Sequence, residues 1–207
     1  MAFVGTTYLH LAGATALTAL SASTPITTIP YWNFITAVVS LVFFIILLFM
    51  APGPLKYAVF VAYLLFLGQA LSEYAKTLGA KGLLDEVIGS VFGIFLAMSV
   101  AGYYAGNHIL RFGPLLFIAL VGLIIGRLGL IVAGVTDTVS MSALVETNSV
   151  LSWIGTVLFS VFVAYDTAQL QARARLREKN PDYIDASMGL FLDIINLFRN
   201  VGDIIDE

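Results

Sequence analysis

Two aspartates near the end of the chain are the residues whose type and position point most directly to chemistry. Asp166 closes a long apolar run, and Asp193 lies inside the apolar run 190–198 that follows the next turn. A carboxylate in a membrane-spanning segment costs roughly 2.5–3.5 kcal/mol to insert, so it is a functional hypothesis by default. Two carboxyls held close in a low-dielectric site cannot both ionise cheaply, so they share one proton. The pair is therefore a candidate proton sensor.

The same pair is a candidate transient site for calcium. Once the shared proton is lost, like-charge repulsion would separate the helices that carry Asp166 and Asp193. The freed oxygens suit Ca²⁺, a hard cation that takes about six to eight oxygen ligands. Two aspartates cannot fill that shell, so water, Asn196 or backbone carbonyls would have to contribute. The hypothesis is a passive, pH-gated Ca²⁺ path.

Spacing places the two acids at matched depth. Asp166 comes seven residues before Arg173, which is ~10 Å along a helix, and Asp193 comes eight residues after Asp185, which is ~12 Å. The turn between the two helices is basic, with Arg173, Arg175, Arg177 and Lys179. Matched depth on antiparallel helices is what a carboxyl pair requires. The alternative is two unrelated acids at helix ends that reach out to water.

Composition assigns these helices to an all-α membrane protein. The chain has 207 residues, of which 59% are hydrophobic and 11% charged, with a mean hydropathy of +0.95. A soluble domain has roughly 25% charged residues. The sequence has no cysteine, which excludes disulfides, thiolate metal sites and thiol nucleophiles. We expect one domain, 1–207, without a soluble extramembrane part.

Seven segments are predicted to cross the membrane, separated by turns that include the loops 108–114 and 136–148. The spans are 7–22, 32–50, 55–78, 83–104, 115–135, 150–171 and 185–205. The first could instead be a signal peptide, although no Lys or Arg precedes it. Positive charges after spans two, four and six (Lys56, Arg111 and the basic turn) predict a cytoplasmic amino terminus. The carboxyl terminus is then outside if the seventh segment crosses.

The seventh segment carries a polar stripe. Its members recur three or four residues apart, which places them on one helix face: Asp185, Gly189, Asp193, Asn196, Asn200, Asp203 and Glu207. A helix lying on the membrane surface would usually carry Lys and Arg on its polar face. The acids and amides favour a helix enclosed in protein that lines a wet path. Asn196, Asn200 and Asp203 are therefore candidate pore-lining residues.

Two acid-centred motifs resemble the transmembrane Bax inhibitor motif family. Residues 164–169 read Ala-Tyr-Asp-Thr-Ala-Gln, and 190–198 read Leu-Phe-Leu-Asp-Ile-Ile-Asn-Leu-Phe. The opening 7–13, Thr-Tyr-Leu-His-Leu-Ala-Gly, is similar to the first span of some bacterial members. The resemblance implies a seven-helix bundle with the last helix at its centre. It also implies a pH-sensitive calcium leak in which Asp166 and Asp193 form a hydrogen-bonded pair.

The resemblance raises one question about a third charged residue. Some members of the family have an arginine near the start of span three that helps to latch the aspartate pair. This chain reads Ala-Pro-Gly-Pro-Leu-Lys over 51–56, so Lys56 takes that place or the latch is missing.

Other charges within the predicted spans need partners. Arg127 lies about twelve residues into span five, Arg199 comes to a similar depth on span seven, and Glu73 lies toward the outer end of span three. We expect Arg127 to pair with Glu73 or with backbone carbonyls, because an unpaired charge is costly there. A selectivity or gating role is the alternative. A positive charge at that depth would hinder cation passage unless it is neutralised.

The residue inventory argues against an enzyme. No lysine is present in the seventh segment for a retinal Schiff base, and two separate histidines do not suggest a zinc hydrolase. Neither a Gly-x-Ser-x-Gly elbow nor a phosphate-binding loop occurs. The basic turn is explained by membrane topology, so no nucleic-acid partner is expected. We expect no cofactor, with Ca²⁺ as the permeant ion and protons as the regulator.

Two alternatives to a calcium leak stay open. One is a Ca²⁺/H⁺ exchanger, and the other is a non-transporting regulatory protein that acts through a membrane protein partner. In each case we expect a monomer in contact with lipid. We expect a prokaryotic plasma membrane, or an internal membrane (ER or Golgi) if the chain is eukaryotic, because no soluble amino-terminal extension is present in the sequence.

Overall fold

The computed structural model describes residues 2–26, 29–136, 138–176 and 181–207, and this part of the chain is helical throughout apart from turns. Its helices are α1 (Ala2–Ser23), α2 (Trp32–Phe49), α3 (Pro54–Ala80), α4 (Leu84–Ala105), α5 (Asn107–Leu110), α6 (Gly113–Val135), α7 (Met141–Leu176) and α8 (Tyr183–Ile205). The predicted all-α class is confirmed.

The chain packs as two compact units. The first unit comprises Met1–Leu84 and Ala174–Phe191, and the second comprises Asp85–Arg173 and Leu192–Glu207. Helix α8 begins in the first unit and ends in the second. Both candidate aspartates, Asp166 and Asp193, belong to the second unit.

Within the described residues, five helices are long and apolar enough to cross a membrane: α2, α3, α4, α6 and α7. They expose large apolar side chains, as shown by Phe34 at 71%, Phe117 at 64% and Ile125 at 64%. Apolar surface on this scale is expected where lipid, rather than water, is the solvent. The protein is therefore a multi-pass membrane protein. The predicted total of seven spans stays a prediction, since α1 and α8 do not meet the same criterion.

The predicted loop 136–148 is wrong, because α7 already begins at Met141. The Ser140 side chain accepts a hydrogen bond from the Ala143 backbone N–H at 3.4 Å, and the Ser140 carbonyl accepts one from Leu144 at 3.0 Å. Serine is a favoured N-cap residue because its oxygen satisfies an unpaired N–H in the first turn. At 36 residues, α7 is about 54 Å long and exceeds the ~30 Å hydrocarbon layer.

Two neighbouring predictions also change. The loop 108–114 contains the single turn α5, and α6 begins at Gly113 with proline in its first turn. Residue 137 of the predicted loop 136–148 lies outside the described residues.

In the first unit, α3 packs against α1 and α2. The contact with α1 is close because Gly68 has no side chain. A Cβ there would lie 2.6 Å from the Ser21 Cβ. The Ser21 hydroxyl donates to the Leu65 carbonyl at 2.7 Å and joins the two helices at this point.

Gln69 of α3 connects three parts of the first unit and is 8% exposed. Its Nε2 donates to the Ser21 carbonyl at 2.7 Å and to the Thr24 carbonyl at 3.1 Å, at the end of α1. Its Oε1 accepts from the Ile26 backbone N–H at 3.0 Å and from the Trp32 indole at 3.1 Å. One amide thus satisfies backbone groups that the end of α1 leaves unpaired.

Replacing Gln69 with leucine should lower the free energy of unfolding by about 2 kcal/mol, because buried donors and acceptors would lose their partners. SDS-induced unfolding in mixed micelles measures this. The control is Thr77→Val, which removes an exposed hydroxyl on the same helix that bonds only locally, to the Glu73 carbonyl at 2.9 Å. Equal stability of the two variants would contradict the assignment.

In the second unit, glycines set the spacing of α7 from its neighbours. A Cβ at Gly102 of α4 would lie 2.7 Å from the Ala164 Cα. A Cβ at Gly113 of α6 would lie 2.6 Å from the Tyr165 hydroxyl. Since Ala164 and Tyr165 immediately precede Asp166, these two contacts determine where the first candidate aspartate lies.

Candidate proton and calcium site

Asp166 lies on the packed side of α7. The residues around it that face protein are buried: Val163 is 0% exposed, Ala164 1% and Thr167 5%. Asp166 itself is half-buried. Its position follows from the close backbone contact of α7 with α4 described above.

Asp193 lies on α8 and is 4% exposed. Its carboxylate interacts electrostatically with that of Asp166. In the described part of the chain, no donor is within hydrogen-bond reach of the Asp193 Oδ2. The structure therefore brings the two sequence-predicted acids together. A buried carboxylate oxygen without a donor is costly unless a proton or water satisfies it.

Helix α8 is buried on its polar and its apolar sides. Leu190 and Leu197 are 0% exposed, while Asp193 and Asn200 on the polar stripe are each 4% exposed. A helix that lies flat on lipid headgroups would bury one face alone. The surface-helix alternative is therefore not supported for this stretch of α8.

Further polar atoms of the second unit are buried without a protein partner among the described residues. They are Ser99 Oγ, Thr156 Oγ1, Thr167 Oγ1 and Gln171 Nε2, in addition to Asp193 Oδ2. Buried polar groups are normally bonded to protein or to ordered water. These atoms give the protein interior around α7 a polar character.

A complete calcium shell is not preassembled in the described residues, where no three His, Asp or Glu side chains cluster closely enough to hold a metal. The Asn196 Nδ2 donates to the Leu192 carbonyl at 2.8 Å, which leaves its amide oxygen as the atom able to bind a cation.

Arg127 of α6 lies at the centre of a second polar cluster. Its guanidinium donates to Asn148 Oδ1 at 2.6 Å, Ser152 Oγ at 3.0 Å and Asn200 Oδ1 at 2.7 Å, and it forms an ion pair with Asp203 Oδ2 at 3.5 Å. Ser152 also donates to Asp203 Oδ2, at 3.2 Å. We call these residues the Arg127 cluster.

The expected pairing of Arg127 is confirmed, but the expected partner is wrong. Its acceptors come from α7 and α8 of its own unit, while Glu73 is an exposed residue of α3 in the first unit. Side chains supply the acceptors because a helix has few free carbonyls. The expected depth of Arg127 in the membrane stays a prediction, and Arg127 lies in the middle part of α6. Asp203 lies in the last turn of α8, so the cluster is near the end of that helix.

The pore-lining candidates therefore differ in environment. Asn200 and Asp203 belong to the Arg127 cluster, and Arg199 Nε lies 3.4 Å from Asp203 Oδ1. Asn196 stands between this cluster and the aspartate pair. Asn148 and Ser152 were missed by sequence reasoning, although their four-residue spacing on one helix face was a usable signal.

Lys56 is 1% exposed, and its ammonium group donates three hydrogen bonds within the first unit. It donates to Asp182 Oδ2 and Asp185 Oδ1, each at 2.6 Å, and to the Met50 carbonyl at 3.2 Å. Asp182 Oδ1 in turn accepts from the Ile184 N–H at 3.1 Å and caps α8. The suggestion that Lys56 bonds to the aspartate pair is therefore wrong, since the N–H groups of Lys56 bond to residues at the start of α8.

The basic turn is described in part. Arg173 and Arg175 belong to the last turns of α7, while Arg177 and Lys179 lie outside the described residues. A cleft of about 470 Å³ lies beside Lys56 and is lined by Tyr57, Asp182 and Tyr183 among others.

Comparison with known proteins gives a family match over nearly the whole chain. The family model described as inhibitor of apoptosis-promoting Bax1 matches residues 1–206. An uncharacterized protein of Borreliella burgdorferi is 30% identical over 146 residues, which is 68% of this chain and 59% of that protein. Uncharacterized proteins of two Helicobacter pylori strains, 26695 and J99, are each 26% identical over 99% of this chain and 86% of their own length.

Proposed function

This chain belongs to the family of inhibitors of apoptosis-promoting Bax1, and we propose that it is a pH-sensitive calcium leak. In this proposal, Asp166 and Asp193 are both the proton sensor and the gate. The observation that carries it is the electrostatic interaction of Asp193 with Asp166 while the Asp193 Oδ2 is buried without a donor. A shared proton is the simplest way to satisfy such a pair.

The sign of the pH response follows from that proton. While the pair is protonated, an O–H of one carboxyl donates to the other and links α7 to α8, so the path is closed. When pH rises and the proton leaves, two like charges repel each other in a poorly solvated site. The helices then separate and Ca²⁺ enters between the carboxylates. Calcium flux should therefore rise with pH.

The membrane arrangement in this proposal has seven spans with α8 enclosed at the centre. Helices α1 and α8, of 22 and 23 residues, are about 33 and 35 Å long and could each cross a bilayer. We place the protein in a bacterial plasma membrane, as the bacterial relatives suggest. There it would act as a monomer, without cofactor or nucleic acid.

Flux of Ca²⁺ into liposomes that contain the purified protein alone tests the proposal. Wild type should carry Ca²⁺ down its gradient, and more so as pH rises. Asp166→Asn and Asp193→Asn should each remove the pH dependence, because an amide cannot gain or lose this proton. The matched control is Asp85→Asn, which neutralises an exposed acid in the first turn of α4 in the same unit. It should keep the wild-type pH profile.

Three results would contradict the proposal. An unchanged pH profile in both variants would exclude the aspartate gate. Uphill Ca²⁺ movement driven by an imposed proton gradient would indicate an exchanger. Absence of flux in wild type at every pH would favour a regulatory protein that needs a partner.

A further inference from the structure

The Arg127 cluster joins Arg127 of α6 to residues of α7 and α8, the two helices that carry the aspartate pair. Asp203 is ten residues beyond Asp193 on α8, or ~15 Å, and Ser152 is fourteen residues before Asp166 on α7, or ~21 Å. A cation that moves along α7 and α8 past the aspartate pair therefore meets a second layer that carries charge.

Helices α7 and α8 are in close contact at this layer. A Cβ at Gly155 of α7 would lie 2.7 Å from the Asn200 Cγ and 2.9 Å from its Nδ2. Asn200 is held on both sides, since its Nδ2 donates to the Asn196 carbonyl at 2.7 Å and its Oδ1 accepts from Arg127. The polar groups at this helix contact are thus fixed in orientation, and an ion that passes here would be close to the Arg127 and Asp203 charges.

This layer holds one negative charge, on Asp203, beside two positive charges. Asp203 forms an ion pair with Arg127 through Oδ2 at 3.5 Å and another with Arg199 through Oδ1 at 3.4 Å. Asp203 is 9% exposed, so water screens its side of the pair little, while Arg127 is 27% exposed and is screened in part. Removing Arg127 would make this layer less positive, and removing Asp203 would make it more positive.

We propose that Arg127 and Asp203 form a charge layer that sets how readily the path carries divalent rather than monovalent cations. This inference rests on the proposed leak function but not on the aspartate gate. When one charge of the layer is removed, the energy of a nearby ion changes in proportion to the charge of that ion. A change in this layer should therefore alter Ca²⁺ flux by about the square of the factor by which it alters Na⁺ flux.

The test compares Ca²⁺ and Na⁺ flux in liposomes at one pH. Arg127→Gln should raise Ca²⁺ flux roughly tenfold and Na⁺ flux roughly threefold, and Asp203→Asn should lower them by similar factors. The opposite signs distinguish a charge layer from a merely structural cluster, whose loss would change both fluxes by one factor in one direction. Arg127→Lys, which keeps the charge, should retain the wild-type ratio. If Arg127→Gln does not fold, Asp203→Asn still tests the inference, because it should lower Ca²⁺ flux by a larger factor than Na⁺ flux.

The matched control is Arg199→Gln, which removes a more exposed arginine (53%) that contacts the same aspartate. It should change the Ca²⁺/Na⁺ ratio less than Arg127→Gln does. Equal factors for both ions, or changes of the same sign in Arg127→Gln and Asp203→Asn, would overturn the inference. If the inference is overturned in this way but Asp166→Asn still loses its pH dependence, the aspartate gate is supported and only the charge layer is rejected. A wild type and Arg127→Gln that both carry neither ion would overturn both proposals.

Discussion

Gly102→Ala should lower the free energy of unfolding by about 3 kcal/mol and disturb the aspartate pair. The new Cβ would lie 2.7 Å from the Ala164 Cα and 2.8 Å from its carbonyl carbon. Real Cβ atoms do not approach backbone this closely, so α4 and α7 would have to move apart, and overpacking of this kind costs ~1–3 kcal/mol or more. Because Ala164 is two residues from Asp166, the pH dependence of flux should also weaken.

The control for this prediction is Gly93→Ala on the same helix. No atom lies within 4 Å of a Cβ at Gly93. Alanine there should leave stability unchanged or raise it by up to ~1 kcal/mol, because it favours the helix. SDS-induced unfolding gives the stabilities, and liposome flux gives the pH profile. If the two variants behave alike, the close approach of α4 to α7 is not what positions Asp166.

Lys56→Met should also lower the free energy of unfolding by about 3 kcal/mol. The variant leaves Asp182, which is 12% exposed, without its positive partner. Breaking a buried ion pair from one side costs ~3–5 kcal/mol. The lower end of this range of destabilisation applies to Lys56→Met, since Asp185 is 51% exposed and water can stabilise it.

Two companion variants identify the cause of the Lys56→Met effect. Adding Asp182→Asn should restore part of the stability, because asparagine removes the unpaired charge and still caps α8. Lys76→Met, an exposed lysine on the same helix, should change stability by less than ~1 kcal/mol. A Lys56→Met protein as stable as Lys76→Met would show that the ion pairs of Lys56 do not hold the start of α8.

The class of protein and the proximity of the two acids could be predicted from the sequence because both depend on regular spacing. Apolar runs of about 20 residues indicate spans whatever their packing. Counting residues from the turn between α7 and α8 places Asp166 and Asp193 at one level, and their electrostatic interaction agrees with that count. Their role as a gate remains a prediction.

The partners of Lys56 and Arg127 could not be predicted, because they depend on how distant segments pack. Arg127 pairs with Asp203, which is 76 residues away, and Lys56 pairs with Asp182, which is 126 residues away. Neither separation leaves a periodic signal in the sequence. The loop 136–148 was mispredicted for a related reason. Its polar residues suggested a turn, whereas the Ser140 cap and the Arg127–Asn148 bond stabilise a helix.

The most direct test of the shared proton is a double-mutant cycle on the aspartate pair. Calcium flux into liposomes is measured across pH for wild type, Asp166→Asn, Asp193→Asn and the double variant. If one proton bridges both carboxyls, each single variant should abolish the pH step, and the double variant should change the pH profile no further. Single variants that each keep part of the step, with losses that add in the double variant, would show that the two acids titrate independently and would contradict the account.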